Sequence, residues 1–575
     1  MGLIGRLIGQ LLNRSATVAR AAPASTALEL RHQEYFSNGQ AAFLGGRLDE
    51  AKLWLEKLKA ENTNLGIAWV FLGHLAKADT SHSDHQVRAL ECYARARSLQ
   101  FDSIELALNI AAIYLDQERG PEALRELAHV REKGAQIPQW YFHFGRAQEM
   151  EFNFEGAHSA YHTAVHLAGD FMQARVARAL VLAWMGRFAA CVEALRELTR
   201  HGLTPIDVAR KLTLIGWLIG YSELVEESAR MVLEHAPDDK DAQFGLGNVL
   251  IAKGNFADGW RLIEARIDNP IYPRYRPVLP RWQGEDLAAK HLWVFEEQGF
   301  GDEILFARFL PLLAERAGRL TLQCKPELHR LLSSIPGIDC VPHKGRMPAG
   351  AMAADFELPL LSIPARLNIV DPAVLAKLPP IAVSENLAIR WQQIVSEAVT
   401  ARAAQNIRLA RRPRIGLAIS GAAHRKDNQL RSVPSHCLDA IIAQDCDFFW
   451  IQPVSDHADE ATLPTRVIDL TTDLNDFADT GALLLQLDLV ITVDTAVAHL
   501  AGTLGIETWL LLPRMRDWRW EIEGFDCLWY PRIRSWRVAE NLDWQRLVDE
   551  VGDALKIRIK QGFERSGSAL NTGTS

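Results

Sequence analysis

Small residues recur every 34 positions through the first half of the chain. Counting from Ala89, the positions 34 apart are Ala123, Ala157, Cys191, Val225 and Gly259. Twelve residues ahead of five of these stands a second series: Ala111, Gly145, Ala179, Thr213 and Gly247. Gly39 bears the same relation to Ala51, and Gly73 to Ala89 once four extra residues around Asp79–His82 are allowed for. Small residues at two fixed phases of such a period predict stacked helix–turn–helix units whose paired helices approach closely. An array of this kind presents a long binding surface and has no chemistry of its own.

The repeats are of the tetratricopeptide (TPR) type, about seven units over 31–268. Tyr114 and Tyr141 fill aromatic positions, Ala96 and Ala164 lie seven residues beyond a tooth, and Pro237 closes a unit. Thr213 and Val225 are the weakest teeth, which predicts a distorted sixth unit. Ahead of the array, 1–30 carries Arg6, Arg14 and Arg20 with Leu3, Ile4, Leu7, Ile8, Leu11 and Leu12 at helical spacing. It reads as an amphipathic helix packed on the first repeat, with an interfacial or transit-like segment as the alternative. At the other end, 561–575 is rich in Ser, Gly and Thr, the composition of a disordered tail.

An apolar fraction of 48% and a charged fraction of 23% are those of a globular protein. A net charge of −8 excludes a dedicated nucleic-acid binder, which is usually basic. Seven cysteines without a CxxC pair predict free thiols in a reducing, cytoplasmic setting, with neither a disulfide frame nor a metal site. No stretch is apolar for long enough to span a bilayer.

Pro270, Pro273, Pro277 and Pro280 make 269–284 a stiff connector. From His291 the pattern changes to strand–loop–helix. Strands are predicted at Leu292–Glu296, Arg319–Cys324, Asp339–Pro342 and Asp355–Leu358, with a helix over Ile304–Arg316. After an Arg-rich bridge (384–412), a second set follows at Arg414–Ser420, Phe448–Gln452, Val467–Leu470, Leu489–Val493 and Thr508–Leu512. The fold class is therefore an α-solenoid followed by α/β, with two Rossmann-like lobes at 285–412 and 413–560. In such sheets ligands bind beyond the carboxyl ends of the strands.

Three segments at those ends carry chemistry. The apolar strand before Asp494-Thr495-Ala496 runs straight into a helix of small residues. Its first N–H groups and the Thr495 hydroxyl form an anion site, with His499 one turn on. Asp494, a poor neighbour for phosphate, caps the helix or holds the loop. The loop 420–432 supplies His424, Arg425, Lys426 and Arg431 beside Asp427, a cationic set suited to a diphosphate. Gln452 closes the next strand. In the first lobe, Gly299 and Gly301 let the backbone approach a ligand, and Asp302 and Glu303 offer carboxylates at a helix start. The aromatic stretches 516–520 and 528–531 either stack on a ligand or bridge the lobes. Asp445-Cys446-Asp447 precedes a strand instead of following one, which argues against a metal-binding role.

Taken together and in this order, these segments resemble the glycosyltransferases with two Rossmann-like lobes (GT-B type). The resemblance is greatest to the branch related to the ADP-heptose:lipopolysaccharide heptosyltransferases, in the bacterial form fused behind TPR repeats. It covers about Trp282 to Leu555 and rests on Trp282-Gln283-Gly284-Glu285, Glu297–Glu303, His424…Asp427…Arg431-Ser432, Val493–Ala501 and Asp517–Trp520. The layout is also similar to that of O-GlcNAc transferase. The resemblance implies Asp302 as general base on an acceptor hydroxyl, with Gly299, Gly301 and Glu303 on the acceptor side. It implies Thr495, Ala496 and His499 on the donor phosphates, and Lys426 and Arg431 beside the leaving diphosphate. No cofactor is implied beyond the nucleotide-sugar co-substrate. The acceptor implied is a protein held by the repeats, with flagellin a candidate. The alternatives are a transferase acting on a polysaccharide or lipid-linked acceptor, and a non-catalytic TPR scaffold. Two departures from the heptosyltransferases, Ala496 in place of glycine and Leu512-Pro513-Arg514-Met515 in place of Gly-Pro-Thr, leave the donor sugar open.

Overall fold

A computed structural model describes residues 27–61, 66–80, 82, 84–219, 221–269, 278–343, 353–403, 412–421, 428–451, 466–513, 517–520, 527–538 and 543–563. Most of the N-terminal segment, three linker prolines, His424, Arg425, Lys426, Asp427, Gln452, Arg514, Met515 and most of the tail lie outside the described residues. The chain divides into two compact units, 1–181 and 182–575.

The first unit is a succession of helices from Ala27–Leu44 to the start of Met172–Trp184. Its teeth Ala51, Ala89, Ala111, Ala123, Ala157 and Ala179 are all buried. Gly73 and Gly145 show what the spacing protects. A Cβ at either would stand 2.3 Å from the Tyr93 ring or 2.5 Å from the Tyr161 ring. Each glycine thus makes room for an aromatic side chain four residues past a tooth of the paired helix. The turns carry a third periodic position, where Glu118, Phe152, Gly186 and Gly254 adopt left-handed backbone, with φ of 58°, 57°, 72° and 77°. Glycine usually takes such positions, so Glu and Phe at two of them hide the periodicity from the sequence.

The second unit opens with the remaining repeat helices, ending in the pair Lys240–Ala252 and Phe256–Ile263. Gly247 and Gly259 bring these two backbones into contact: a Cβ on either would lie 3.1 Å from the other's carbonyl oxygen. In the sixth unit the helices Pro205–Ile219 and Ser222–His235 are each continuous. Gly216 leaves space for Val225, and the buried Thr213 hydroxyl lies 3.0 Å from the Ala209 carbonyl and 2.9 Å from Ser228 Oγ. Residues 278–284 then run along the first sheet, where Trp282 N–H donates to the Glu357 carbonyl at 3.0 Å.

Two all-parallel sheets follow. Strands β1 (His291–Phe295), β2 (Arg319–Cys324), β3 (Asp339–Pro342) and β4 (Phe356–Pro359) lie in the order β3-β2-β1-β4. Strands β5 (Arg414–Ala418), β6 (Asp447–Trp450), β7 (Val467–Asp469), β8 (Leu489–Val493), β9 (Thr508–Leu512) and β10 (Ile533–Arg537) lie in the order β10-β9-β8-β5-β6-β7. The chain reverses direction across each sheet at β1/β4 and at β5/β8, and a crevice opens beyond the strand ends at such points. The edge strand β10 was not anticipated, because Ile-Arg-Ser-Trp-Arg lacks the apolar run of a central strand. The predicted helix over 304–316 is instead two, Phe300–Ala307 and Leu310–Ala314. It starts four residues early because Gly299 and Asp302 cap it, and it breaks where Pro311 cannot donate a hydrogen bond.

One apolar core runs from Phe256, Trp260 and Ile263 of the last repeat through β1, β2 and helix Phe300–Ala307 to Leu500, Trp520, Trp529 and Tyr530. Trp260 meets Phe306 at 6.3 Å and Trp518 at 5.9 Å between ring centroids. The late aromatic stretch is thus a packed bridge. A separate core covers the other face of the six-stranded sheet.

Candidate functional site

The two reversal points face each other. Helix Phe300–Ala307, which follows β1, packs on helix Ala496–Thr503, which follows β8. A Cβ on Gly301 would stand 2.6 Å from His499 Cδ2, so the missing side chain lets the two lobes touch here. Gly299 is exposed and starts the helix, its N–H donating to Asp302 Oδ2 at 3.1 Å. Just before it, Gln298 is left-handed, with φ of 57°. The other Asp302 oxygen accepts a hydrogen bond from Arg519.

Arg519 also binds Asp517 through both carboxylate oxygens, at 2.9 and 2.8 Å, and lies 4.4 Å from the centre of the Trp518 ring. Burial pushes this guanidinium pKa down, but Asp302 and Asp517 outweigh burial, and the net shift is upward. For Asp517, burial acts upward and Arg519 prevails, so its carboxyl is held below the usual range. An Asp302–Arg519–Asp517 bridge links the lobes.

In the second lobe, fully buried β8 delivers Asp494 and Thr495 to the crevice. Thr495 is extended, and its hydroxyl lies 3.3 Å from Thr492 Oγ1 without capping the helix. Asp494 does not cap either. It accepts from Trp520 Nε1 at 2.9 Å, and Arg431 Nη1 donates to its carbonyl at 3.1 Å with Oδ2 3.6 Å away. Burial raises the Asp494 carboxyl against the pull of Arg431. Half-buried Ala496 is the first residue of the helix. Gly421 N–H donates to Asn428 Oδ1 at 2.8 Å, joining the residues that flank 422–427.

His499 is 4% exposed, under Trp520 at 4.6 Å between centroids, with Nδ1 3.1 Å from the Tyr530 hydroxyl. Burial, with Arg519 nearby, pushes its pKa down to about 3. The ring is neutral and can contribute hydrogen bonds but no charge.

Glu303 turns inward, toward Lys325. It is fully buried, accepting from Lys325 N and Nζ, both at 2.9 Å, while Lys325 Nζ also reaches Glu296 at 3.0 Å. Burial raises the Glu303 carboxyl pKa, and Lys325 opposes that shift. A carboxylate spent on one lysine staples the β1 loop to the end of β2. Arg308 and Arg266 escape a reading of the sequence, since an isolated arginine has no period and only its partners reveal it, while Arg519 lies in the Asp517–Trp520 segment but its pairing with Asp302 appears only in space. Arg308 is buried and donates to the carbonyls of Trp529 and Leu378, both at 2.9 Å, tying the lobes a second time. Asp445 and Asp447 both lie beside Arg412, at 3.1 and 3.9 Å. Among the described residues no cluster of three His, Cys, Asp or Glu is arranged to hold a metal.

No family model matches the chain. Protein FlbA of Caulobacter vibrioides is 26% identical over 352 residues, a match that spans 58% of this chain and 58% of FlbA. Among solved structures, PilF of Pseudomonas aeruginosa is similar with a TM-score of 0.32 at 13% identity, over 38% of this chain and 97% of PilF. The glycosyl transferase family 9 protein of Veillonella parvula scores 0.32 at 15% identity, over 49% of this chain and 93% of its own. ADP-heptose lipopolysaccharide heptosyltransferase II of Escherichia coli scores 0.32 at 14% identity, over 47% and 100%. The layout of this chain is TPR-like helical repeats followed by two Rossmann-like lobes.

Proposed function

We propose that the two lobes move a sugar from a nucleotide-sugar to a protein hydroxyl presented by the repeats. The observation that carries this reading is the meeting of the two crevice loops, with Asp302 joined through Arg519 to the segment that binds Asp494. The donor diphosphate sits at the start of helix Ala496–Thr503, against its first N–H groups, the Thr495 hydroxyl and Arg431. His424, Lys426, Asp427 and Gln452 lie outside the described residues and join this reading as donor-side candidates from the sequence alone. Each Asp302 oxygen already accepts one hydrogen bond and keeps a further lone pair. An acceptor hydroxyl entering over the exposed Gln298–Gly299 turn gives its proton to Asp302 as its oxygen attacks the anomeric carbon, and the bond to the diphosphate breaks. Arg519 and Asp517 hold the base in place, and His499 holds the two helices in register.

No metal enters this scheme. A groove of about 840 Å³ between helices Phe188–Glu197 and Ser222–His235 sets Glu193, Glu197 and Glu223 beside Arg196 and Arg200, a mixed-charge surface suited to a protein segment. Flagellin is the acceptor to try first. Purified protein offered NDP-sugars should add a hexose mass to the acceptor, and Asp302→Ala should slow transfer by about 10²–10⁴-fold. Transfer surviving both Asp302→Ala and His499→Ala would refute the site. Acceptor binding without modification under every donor would favour a scaffold, and transfer only to a glycan or lipid-linked acceptor would remove the protein-acceptor reading.

A further inference from the structure

We infer that the last helical repeat belongs to the transfer site, with Arg266 a positioning residue that fixes the loop carrying Asp302. The inference rests on the transferase reading for its kinetic consequence only. Arg266 follows the final repeat helix and is 2% exposed. All five of its N–H donors are used. Nε and Nη2 grip Glu297 at 3.0 and 2.8 Å, Nη2 also binds Ser362 Oγ at 2.9 Å, and Nη1 binds Glu264 Oε1 at 2.8 Å and the Ile263 carbonyl at 3.1 Å. Glu297 in turn accepts from Leu361 N–H at 3.1 Å. One guanidinium thereby holds the residues just beyond both β1 and β4, the two strands flanking the first-lobe crevice.

Glu297 immediately precedes the left-handed Gln298 and the Gly299 cap whose N–H orients Asp302. A non-glycine residue in that conformation persists only where its surroundings fix it. Burying an ion pair is seldom a gain in stability over apolar packing, whereas a two-point fork sets direction. The arrangement is therefore suited to aiming the loop. A second observation agrees: Trp260, from the same repeat, packs against Phe306 on the Asp302 helix and against Trp518 beside Arg519.

The test uses the full chain with Arg266→Lys, which keeps charge but loses the fork, Arg266→Met and Ser362→Ala. Exposed Arg261→Met serves as control. Amide hydrogen exchange is followed across 298–303 and, as a gauge of global stability, across β8. In Arg266→Lys, exchange over 298–303 should quicken at least tenfold with β8 unchanged. The kcat for transfer should fall about tenfold while donor affinity holds, and Ser362→Ala should show the same effects in smaller degree. If Arg266→Met fails to fold, the other two variants decide. Wild-type exchange over 298–303 in Arg266→Lys and Ser362→Ala would overturn the inference, as would faster exchange with unchanged kcat. Should wild type transfer no sugar, the transferase reading fails and the exchange measurement still decides whether Arg266 positions the loop.

Discussion

Between Trp520, Tyr530 and Gly301, the His499 ring stays neutral in the folded chain until pH falls to about 3, whereas an unfolded histidine takes up its proton near 6.5. Between those values the unfolded chain binds the extra proton, so stability is lost as pH drops from 6.5. Each pH unit in the window costs up to about 1.4 kcal/mol for this residue. His74 and His143, both pushed down to about 4 by burial with cations nearby, add the same dependence to the first unit. Urea unfolding at pH 7 and pH 5 should show a loss that His499→Gln reduces in the second unit; an identical loss would contradict the buried neutral ring. The two loop glycines make a paired prediction. Gly301→Ala forces a methyl against His499 and should cost about 1–3 kcal/mol. Gly299→Ala meets only Asp302 Oδ2, at 3.4 Å, and should lie within about 1 kcal/mol of wild type. Equal urea midpoints for the two would refute the packing account. Both glycines were legible as a loop where backbone must come close. What comes close to Gly301 was not, because His499 lies far away in sequence.

At the level of elements, the interval of 34 was readable because every tooth meets the same packing demand. The left-handed turn was not readable, since Glu118 and Phe152 occupy it without glycine. Glu118 is exposed, so Glu118→Gly removes backbone strain without losing a buried contact. It should raise stability by about 0.5–1 kcal/mol, seen as a higher urea midpoint, and a lower midpoint would show that the side chain holds the turn. Strands with continuous apolar runs, such as β8, were legible almost to the residue. The polar edge strand β10 and the early start of helix Phe300–Ala307 were not, the one for want of an apolar pattern, the other because its cap is set by a glycine and an aspartate that read equally well as a ligand loop.

For the molecule as a whole, the order of its parts could be read from the change of period near His291. The join between them could not. Trp260 and Trp518 meet only in space, and Arg266 finds Glu297 across a stretch that looks like a linker. A chain beginning at 269 would leave Phe306, Trp518 and Trp529 facing water and Glu297 without its cation. It should aggregate or unfold in a broad, uncooperative transition. A chain beginning at 182, the edge of the second unit, should unfold sharply in calorimetry and run as a discrete species in size-exclusion chromatography. The opposite ranking would show that the lobes fold independently of the last repeat.

Because that repeat shares its interior with both lobes, the array has one end that cannot be swapped. The terminal pair travels with the lobes as a mounting plate, and any graft of a foreign solenoid onto this head has its seam ahead of Lys240.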